Sequence, residues 1–118
     1  MNRKEAIRAY KEARRPMGVY QVRNTVSGKV YLGTSVDLPS ILNRERAQLR
    51  LGAHRDRRLQ ADWKALGDGA FAFEVLDTLE PPEDPGYDPA DDLRTLEDLW
   101  RGKLAAAGTE AYNPPRRR

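Results

Sequence analysis

Two tyrosines, each close to a glycine, are the first residues whose types and spacing suggest a site. Tyr20 follows Gly18 by two residues, and Gly33 follows Tyr31 by two residues, within the stretch MGVYQVRNTVSGKVYLGTS at 17–35. Glycine leaves the backbone and a nearby tyrosine hydroxyl uncrowded, as a site that admits a ligand requires. Taken without any other information, both tyrosines also fit as ordinary side chains of a sheet.

Charged residues are distributed unevenly along the chain, whose formal net charge is +3. Residues 1–60 hold 14 Lys and Arg against 5 Asp and Glu, or +9, whereas residues 61–118 hold 7 against 13, or −6. The basic half suits a polyanion such as nucleic acid. Alternatively, the two halves pair with each other in the fold, and the sequence leaves both readings open.

The elements that must position the tyrosines are two strands joined by a turn. The stretches GVYQVRN and KVYLGT alternate as strands do, and the link TVSG at 25–28 has the glycine of a short hairpin loop. Antiparallel pairing brings the tyrosines onto neighbouring strands, and the register decides whether they share a face. Alternating residues in AFAFEVLDTL predict a third strand at 70–79.

Three helices are predicted to flank these strands. The first begins after Asp37, a good N-cap, and ends at Gly52, while the second ends at Gly67. The third runs from residue 89 or 91 to 107. The residues expected on its core face are Leu93, Leu96, Leu99, Trp100 and Leu104.

This order of elements predicts a small α/β (α+β) domain at 17–114, with helices on the faces of a three-stranded sheet. A helical arm is expected at 1–16 and a basic tail at 115–118. No apolar run approaches the roughly 20 residues that span a bilayer, and the N-terminus lacks the apolar stretch of a signal peptide. The absence of cysteine excludes disulfides and thiolate metal sites, and we expect a cytoplasmic protein.

Taken in order, these features resemble the GIY-YIG nuclease family. Gly18-Val19-Tyr20 stands for the first triplet and Tyr31-Leu32-Gly33 for the second; two helices, the strand FAFEVLD, a helix carrying LEDLW and an ending YN follow. The resemblance implies a small three-stranded mixed or antiparallel sheet flanked by helices. It also implies an endonuclease that cuts phosphodiesters with one divalent ion, Mg²⁺ or Mn²⁺, as homing, restriction and DNA repair nucleases of the family do.

The resemblance assigns roles to four residues. Tyr20 helps to deprotonate or orient the attacking water, Tyr31 supports that network, Glu97 holds the metal and Asn113 helps to order the site. One carboxylate is compatible with Mg²⁺, which keeps many waters. Tyrosine, with an ordinary pKa of about 10, is a poor base at neutral pH unless its surroundings favour the phenolate.

The sequence departs from the family pattern on the first predicted helix. The catalytic arginine is expected eight residues after Gly33, where this chain has Ile41, and a histidine common four positions later is replaced by Glu45. Ile41 makes no charge-assisted hydrogen bond to phosphate, and such a loss costs on the order of 10²–10³ in rate. Arg44 is the candidate substitute. Glu45 either adds a metal ligand or repels the phosphate.

Five further residues are candidate nucleic-acid contacts: Lys29, His54, Arg55, Arg57 and Arg58. Each of them also suits a solvated surface. The sequence therefore predicts a DNA endonuclease whose activity is attenuated by the missing arginine, with an unknown protein partner or a homodimer left open. The alternatives are a catalytically inactive nucleic-acid-binding module with the same fold and a protein-interaction scaffold. We expect no separate targeting domain, so that specificity comes from shape, structure or a partner.

Overall fold

Three antiparallel strands form the sheet of the computed structural model, which describes residues 2–6 and 15–115. Strand β1 (Gly18–Asn24) lies between β2 (Val30–Ser35) and β3 (Phe71–Thr78). The predicted α+β fold with a small three-stranded sheet flanked by helices is confirmed, and of the two predicted sheet types the sheet is antiparallel.

The register of β1 and β2 settles where the two tyrosines lie. Tyr20 is opposite Gly33, and Val22 is opposite Tyr31. Directly opposed residues of an antiparallel pair share a face, and Tyr20 and Val22 are two residues apart on one strand. Both tyrosines therefore project from the same face of the sheet.

The two triplet glycines serve different purposes. A Cβ on Gly18 would lie 2.0 Å from the carbonyl oxygen of Asp77, so this glycine allows the close approach of β3. A Cβ on Gly33 would lie 2.6 Å from the hydroxyl oxygen of Tyr20. Gly33 therefore makes room for the Tyr20 ring across β2, as the sequence suggested for a tyrosine hydroxyl beside a glycine.

The first two helices have the limits that their capping residues predict. Helix α1 (Leu38–Leu51) begins at Asp37, whose side chain accepts a backbone N–H of the first turn, and ends at Gly52 in the left-handed conformation with φ 73°. Helix α2 (Arg57–Leu66) begins at Asp56, which caps it in the same way.

Helix α3 (Ala90–Ala106) packs against β1 and β2. Its buried residues are Leu93 and Glu97, which lie one turn apart. Leu99, predicted for the core face, is 54% exposed, and that prediction is wrong. The leucine spacing predicted an entirely apolar core face for this helix. The carboxylate of Glu97 is instead buried on that face, next to Leu93.

The main core lies on the sheet face that carries Tyr31 and Val22, under α1 and α2. Aromatic rings fill much of it, and Trp63 packs against Phe71 with ring centroids 5.1 Å apart. The buried cluster consists of Val22, Tyr31, Leu49, Leu59, Trp63, Phe71 and Tyr112.

A segment after α3 returns alongside β2. The backbone N–H of Val30 donates to the carbonyl of Glu110 at 3.0 Å, and the N–H of Tyr112 donates to the carbonyl of Val30 at 2.7 Å. This short parallel bridge fixes residues 110–112 on the outer edge of β2. It brings Asn113 to the middle of that strand.

The predicted arm and tail are only partly described. Residues 3–6 are helical. The rest of the arm at 7–14 and the tail at 116–118 lie outside the described residues. Within the described chain, no helix has the length and apolar character required to cross a membrane.

Substituting Gly33 by alanine should lower the free energy of unfolding by about 1–3 kcal/mol, as overpacking does in a filled core. The added methyl group would collide with Tyr20, which is 2% exposed and has little room to move. Urea denaturation followed by tryptophan fluorescence measures this change.

Gly102→Ala is the matched control, because its added Cβ has no heavy atom within 4 Å outside the helix backbone. Replacing glycine inside a helix should raise stability by up to about 1 kcal/mol. A Gly33→Ala protein as stable as the wild type would contradict the tight packing of Tyr20 against β2.

Candidate active site

Residues from both ends of the described domain line one small cleft along β2. Its volume is about 50 Å³. The lining residues are Tyr20, Tyr31, Leu32, Gly33, Thr34, Arg55, Glu97, Arg101, Asn113 and Pro114. The structure thus brings together the four residues to which the resemblance assigned catalytic or metal-binding roles, and adds two arginines to them.

Tyr20 is a neutral hydrogen-bond donor at the base of this cleft. Its hydroxyl donates to Glu45 Oε1 at 3.3 Å. Burial, followed by the negative charge of Glu45, raises the pKa of Tyr20 well above the ordinary value for tyrosine. Tyr20 therefore keeps its proton at neutral pH, and its oxygen lone pairs can accept a hydrogen bond.

Glu45 is held by two donors beneath the cleft. His54 Nε2 lies 2.5 Å from Glu45 Oε2, and the backbone N–H of Asp56 donates to His54 Nδ1 at 3.0 Å. Because Nδ1 accepts, Nε2 carries the proton and donates it to Glu45. Both oxygens of a 3% exposed carboxylate are thus occupied, one by Tyr20 and one by His54.

This arrangement supports neither role predicted for Glu45. The ten residues that line the cleft do not include Glu45, so its carboxylate is placed neither to bind a metal there nor to face the phosphate. The structure also contradicts His54 as a nucleic-acid contact, because its side chain is fully buried and packs edge-on against Tyr31. His54 instead hydrogen-bonds the carboxylate of Glu45.

Arg55 directly contacts one of the two tyrosines. Its Nε donates to the hydroxyl oxygen of Tyr31 at 3.0 Å. Burial raises the pKa of Tyr31, and the hydrogen bond from Arg55 partly offsets that effect. Arg44, the substitute predicted on α1, is exposed and is not among the lining residues. The geometry therefore favours Arg55, from the loop between α1 and α2, over Arg44.

Glu97 reaches the cleft as half of an ion pair. Arg101, one turn later on α3, donates from Nε to Glu97 Oε2 at 2.9 Å and from Nη1 to the carbonyl of Asn113 at 2.8 Å. The Asn113 side chain accepts from the N–H of Leu32 at 2.9 Å and donates to its carbonyl at 2.6 Å. Asn113 thus pairs with β2 through its side chain, as a strand residue pairs through its backbone.

The donor set fits a divalent ion that keeps most of its water ligands. Glu97 is the one carboxylate among the ten lining residues. Across the described parts of the chain, no three His, Cys, Asp or Glu side chains converge as a metal-ligand cluster. Mg²⁺ accepts this arrangement, because it is commonly bound by one or two carboxylates and several waters.

The remaining predicted nucleic-acid contacts lie outside the cleft. Lys29 and Arg58 both pair with Glu110, each at 3.5 Å, and Arg58 also lies over the ring of Tyr112. Arg57 is exposed at the start of α2. These three cations belong to the outer surface, where they suit backbone contacts to a long polyanion.

A larger groove of about 470 Å³ adjoins the cleft and shares Thr34 and Glu97 with it. Asp88 and Arg94 are among the residues that line it. The cleft with Glu97 therefore opens into a groove that runs along the first half of α3.

Arg101 is the cleft residue that sequence reasoning missed. Its spacing gave a usable signal, because a cation four residues after Glu97 on a helix lies on the same face and forms an ion pair. The resemblance implies an arginine on the helix that carries Ile41 and only a carboxylate on the last helix.

Known proteins share this fold and parts of this sequence. No family model matches the chain. Intron-associated endonuclease 1 of Enterobacteria phage T4 is 30% identical over 67 residues, which are 57% of this chain and 27% of that protein. The chain thus spans about a quarter of the length of this curated relative.

Two solved structures superpose on most of the chain. The catalytic domain of homing endonuclease I-TevI has a TM-score of 0.63 and 25% identity, with 83% of this chain and 99% of that domain covered. A point mutant of the catalytic domain of intron endonuclease I-TevI has a TM-score of 0.68 and 24% identity, with 86% and 97% covered. The two tyrosine triplets lie on the paired strands of this shared fold, which supports the resemblance to the GIY-YIG nuclease family.

Proposed function

We propose that this chain is an endonuclease domain that hydrolyses a DNA phosphodiester at the cleft formed by Tyr20, Tyr31 and Glu97. The observation that carries this proposal is the convergence of these side chains, distant in sequence, on one cleft that also holds two arginines. The names of the relatives, an intron-associated endonuclease and a homing endonuclease, support DNA as the substrate.

Glu97 would hold the divalent ion, Mg²⁺ or Mn²⁺, with water completing its coordination. When bound, such an ion neutralises charge that develops on the phosphate and makes a bound water more acidic. Arg101 orients the Glu97 carboxylate by its hydrogen bond to Oε2, as outer partners of metal-binding carboxylates do.

Tyr20 would orient the attacking water through an oxygen lone pair. Its raised pKa argues against a phenolate acting as the base at neutral pH. The hydrogen bond to Glu45 offers another path for the proton: Tyr20 Oη receives it from water as the phenolic proton passes to Glu45 Oε1. The resulting hydroxide attacks phosphorus, the ester P–O bond opposite it breaks, and the leaving sugar oxygen takes up a proton from solvent water, while Glu45 returns its proton to solvent.

Other residues support this arrangement. Arg55 bonds the Tyr31 hydroxyl and brings a positive charge to the cleft, where a phosphate would approach. Asn113 fixes the backbone of Leu32, the strand residue that follows Tyr31, through two hydrogen bonds. The exposed cations on the outer surface, Arg57 and Arg58 among them, would contact the DNA backbone and account for affinity more than for chemistry.

A non-cleaving DNA-binding module is the second candidate function. The observation that favours it is Ile41, an uncharged and half-buried residue at the position where the resemblance implies a catalytic arginine. Binding without cleavage, together with cleavage gained by Ile41→Arg, would select this second function over the first.

Incubation of supercoiled plasmid with the protein and Mg²⁺ or Mn²⁺ tests the proposed activity. We expect nicking by the wild type and a loss of at least about 10²-fold in Glu97→Ala, because the carboxylate for the ion is removed. Agarose gels of the relaxed and linear products give the rate.

Glu80→Ala is the matched control, since Glu80 is an exposed carboxylate outside the cleft. It should nick at the wild-type rate. Nicking that survives in Glu97→Ala, with circular dichroism unchanged, would refute the proposed metal site.

The protonation state of Tyr20 can be tested without DNA. Its folded-state pKa lies above the unfolded value, so above about pH 10 the unfolded chain loses a proton that the folded chain keeps. The free energy of unfolding should therefore fall as the pH rises past about 10, and should fall less steeply in Tyr20→Phe. Urea denaturation across this range measures both slopes, and identical slopes would contradict a neutral Tyr20.

A further inference from the structure

We propose that Arg101 contacts the phosphate of the DNA backbone in the cleft and supplies the charge that Ile41 does not. This inference rests on the proposed function and names the residue that recognises the substrate's anionic group. It concerns a side chain to which no role was predicted.

Unused donors on Arg101 are the first observation. A guanidinium has five N–H donors, and Arg101 uses one on Glu97 Oε2 and one on the carbonyl of Asn113. Among the described residues, its Nη2 group makes no hydrogen bond. Since Arg101 lines the cleft, these donors remain for a ligand that enters it.

Rigid placement is the second observation. The side chain of Arg101 is 12% exposed, and its two partners are fixed: Glu97 by α3, and Asn113 by its side-chain pairing with Leu32. An arginine that is already ordered loses little conformational freedom when it binds an anion, and its planar fork suits phosphate oxygens. Arg55, by comparison, is exposed.

Charge balance is the third observation. A phosphodiester that enters the cleft meets the carboxylate of Glu97 directly, and the buried carboxylate of Glu45 lies behind Tyr20. Arg101 pairs with the first of these and can bridge it to the phosphate through its remaining N–H groups. The substrate's charge is thereby neutralised next to the carboxylate that would otherwise repel it.

A purely structural role is the alternative. Arg101 would then only tie residues 110–113 to α3, and its removal would lower stability without changing how DNA is held. Counterion release separates the two roles, because each phosphate contact that is lost reduces the salt dependence of binding by about one unit of slope.

Binding of a fluorescein-labelled DNA duplex in EDTA, titrated over a series of salt concentrations, is the test. We expect Arg101→Gln to bind roughly tenfold more weakly or worse, with the slope of log K against log salt reduced by about one. Lys103→Gln is the matched control. It removes the same charge from the same helix at an exposed residue that lies over Trp100, and should match the wild type.

The double variant Ile41→Arg/Arg101→Gln provides a rescue. Residue 41 is the position at which the resemblance implies an arginine that contacts phosphate, so an arginine there should recover affinity and slope. Arg101→Gln that remains folded and binds with the same affinity and slope as Lys103→Gln would overturn the inference while leaving the proposed function intact. Wild-type protein that binds no DNA would overturn both.

A measurement on the unaltered protein covers the case in which Arg101→Gln does not fold. The Nε–Hε resonance of Arg101, assigned by its absence in Arg101→Lys, should shift in proportion to bound duplex as DNA is added to ¹⁵N-labelled protein. A resonance that stays fixed while the backbone resonances of the cleft shift would show that Arg101 does not contact the substrate.

Discussion

The absence of a side chain at Gly33 is the constraint on which the rest of the site depends. It lets the ring of Tyr20 lie across β2. A Cβ at position 33 would collide with the Tyr20 hydroxyl in that position. From there the hydroxyl reaches Glu45 on α1 and lines the cleft with Glu97 of α3. The absence of one methyl group thus allows a phenol on the sheet to contact the buried carboxylate of α1 and to line the cleft with the carboxylate of α3.

The second half of the site is closed by the chain that follows α3. Asn113 uses both polar atoms of its side chain on the backbone of Leu32, and its own carbonyl on Arg101. The ion pair of Arg101 with Glu97 is therefore held in place by β2, through Asn113, as well as by α3. A cleft of about 50 Å³ keeps its shape because Glu97, Arg101 and Asn113 are each hydrogen-bonded to a neighbour on this side.

Residues that act through local chemistry were predictable, and residues placed by tertiary packing were not. Asp37 and Gly52 fixed the limits of α1, because caps act within one turn of the backbone. The exposure of Leu99 was missed, because α3 carries leucines on more than one face and spacing alone cannot choose between them. The contact of Arg55 with Tyr31 depends on the conformation of the loop between α1 and α2, which hydrophobic periodicity does not predict.

The hydrogen bonds around Glu45 carry an evolutionary consequence. A carboxylate buried at this point is tolerable only with donors on both oxygens, and His54 supplies one of them through the tautomer that Asp56 imposes. Substituting Glu45 or His54 alone by an apolar residue leaves the other buried side chain without its hydrogen-bond partner. Homologues with an acid at the position of Glu45 should therefore retain an imidazole at the position of His54, so that the two sites covary as a coupled pair.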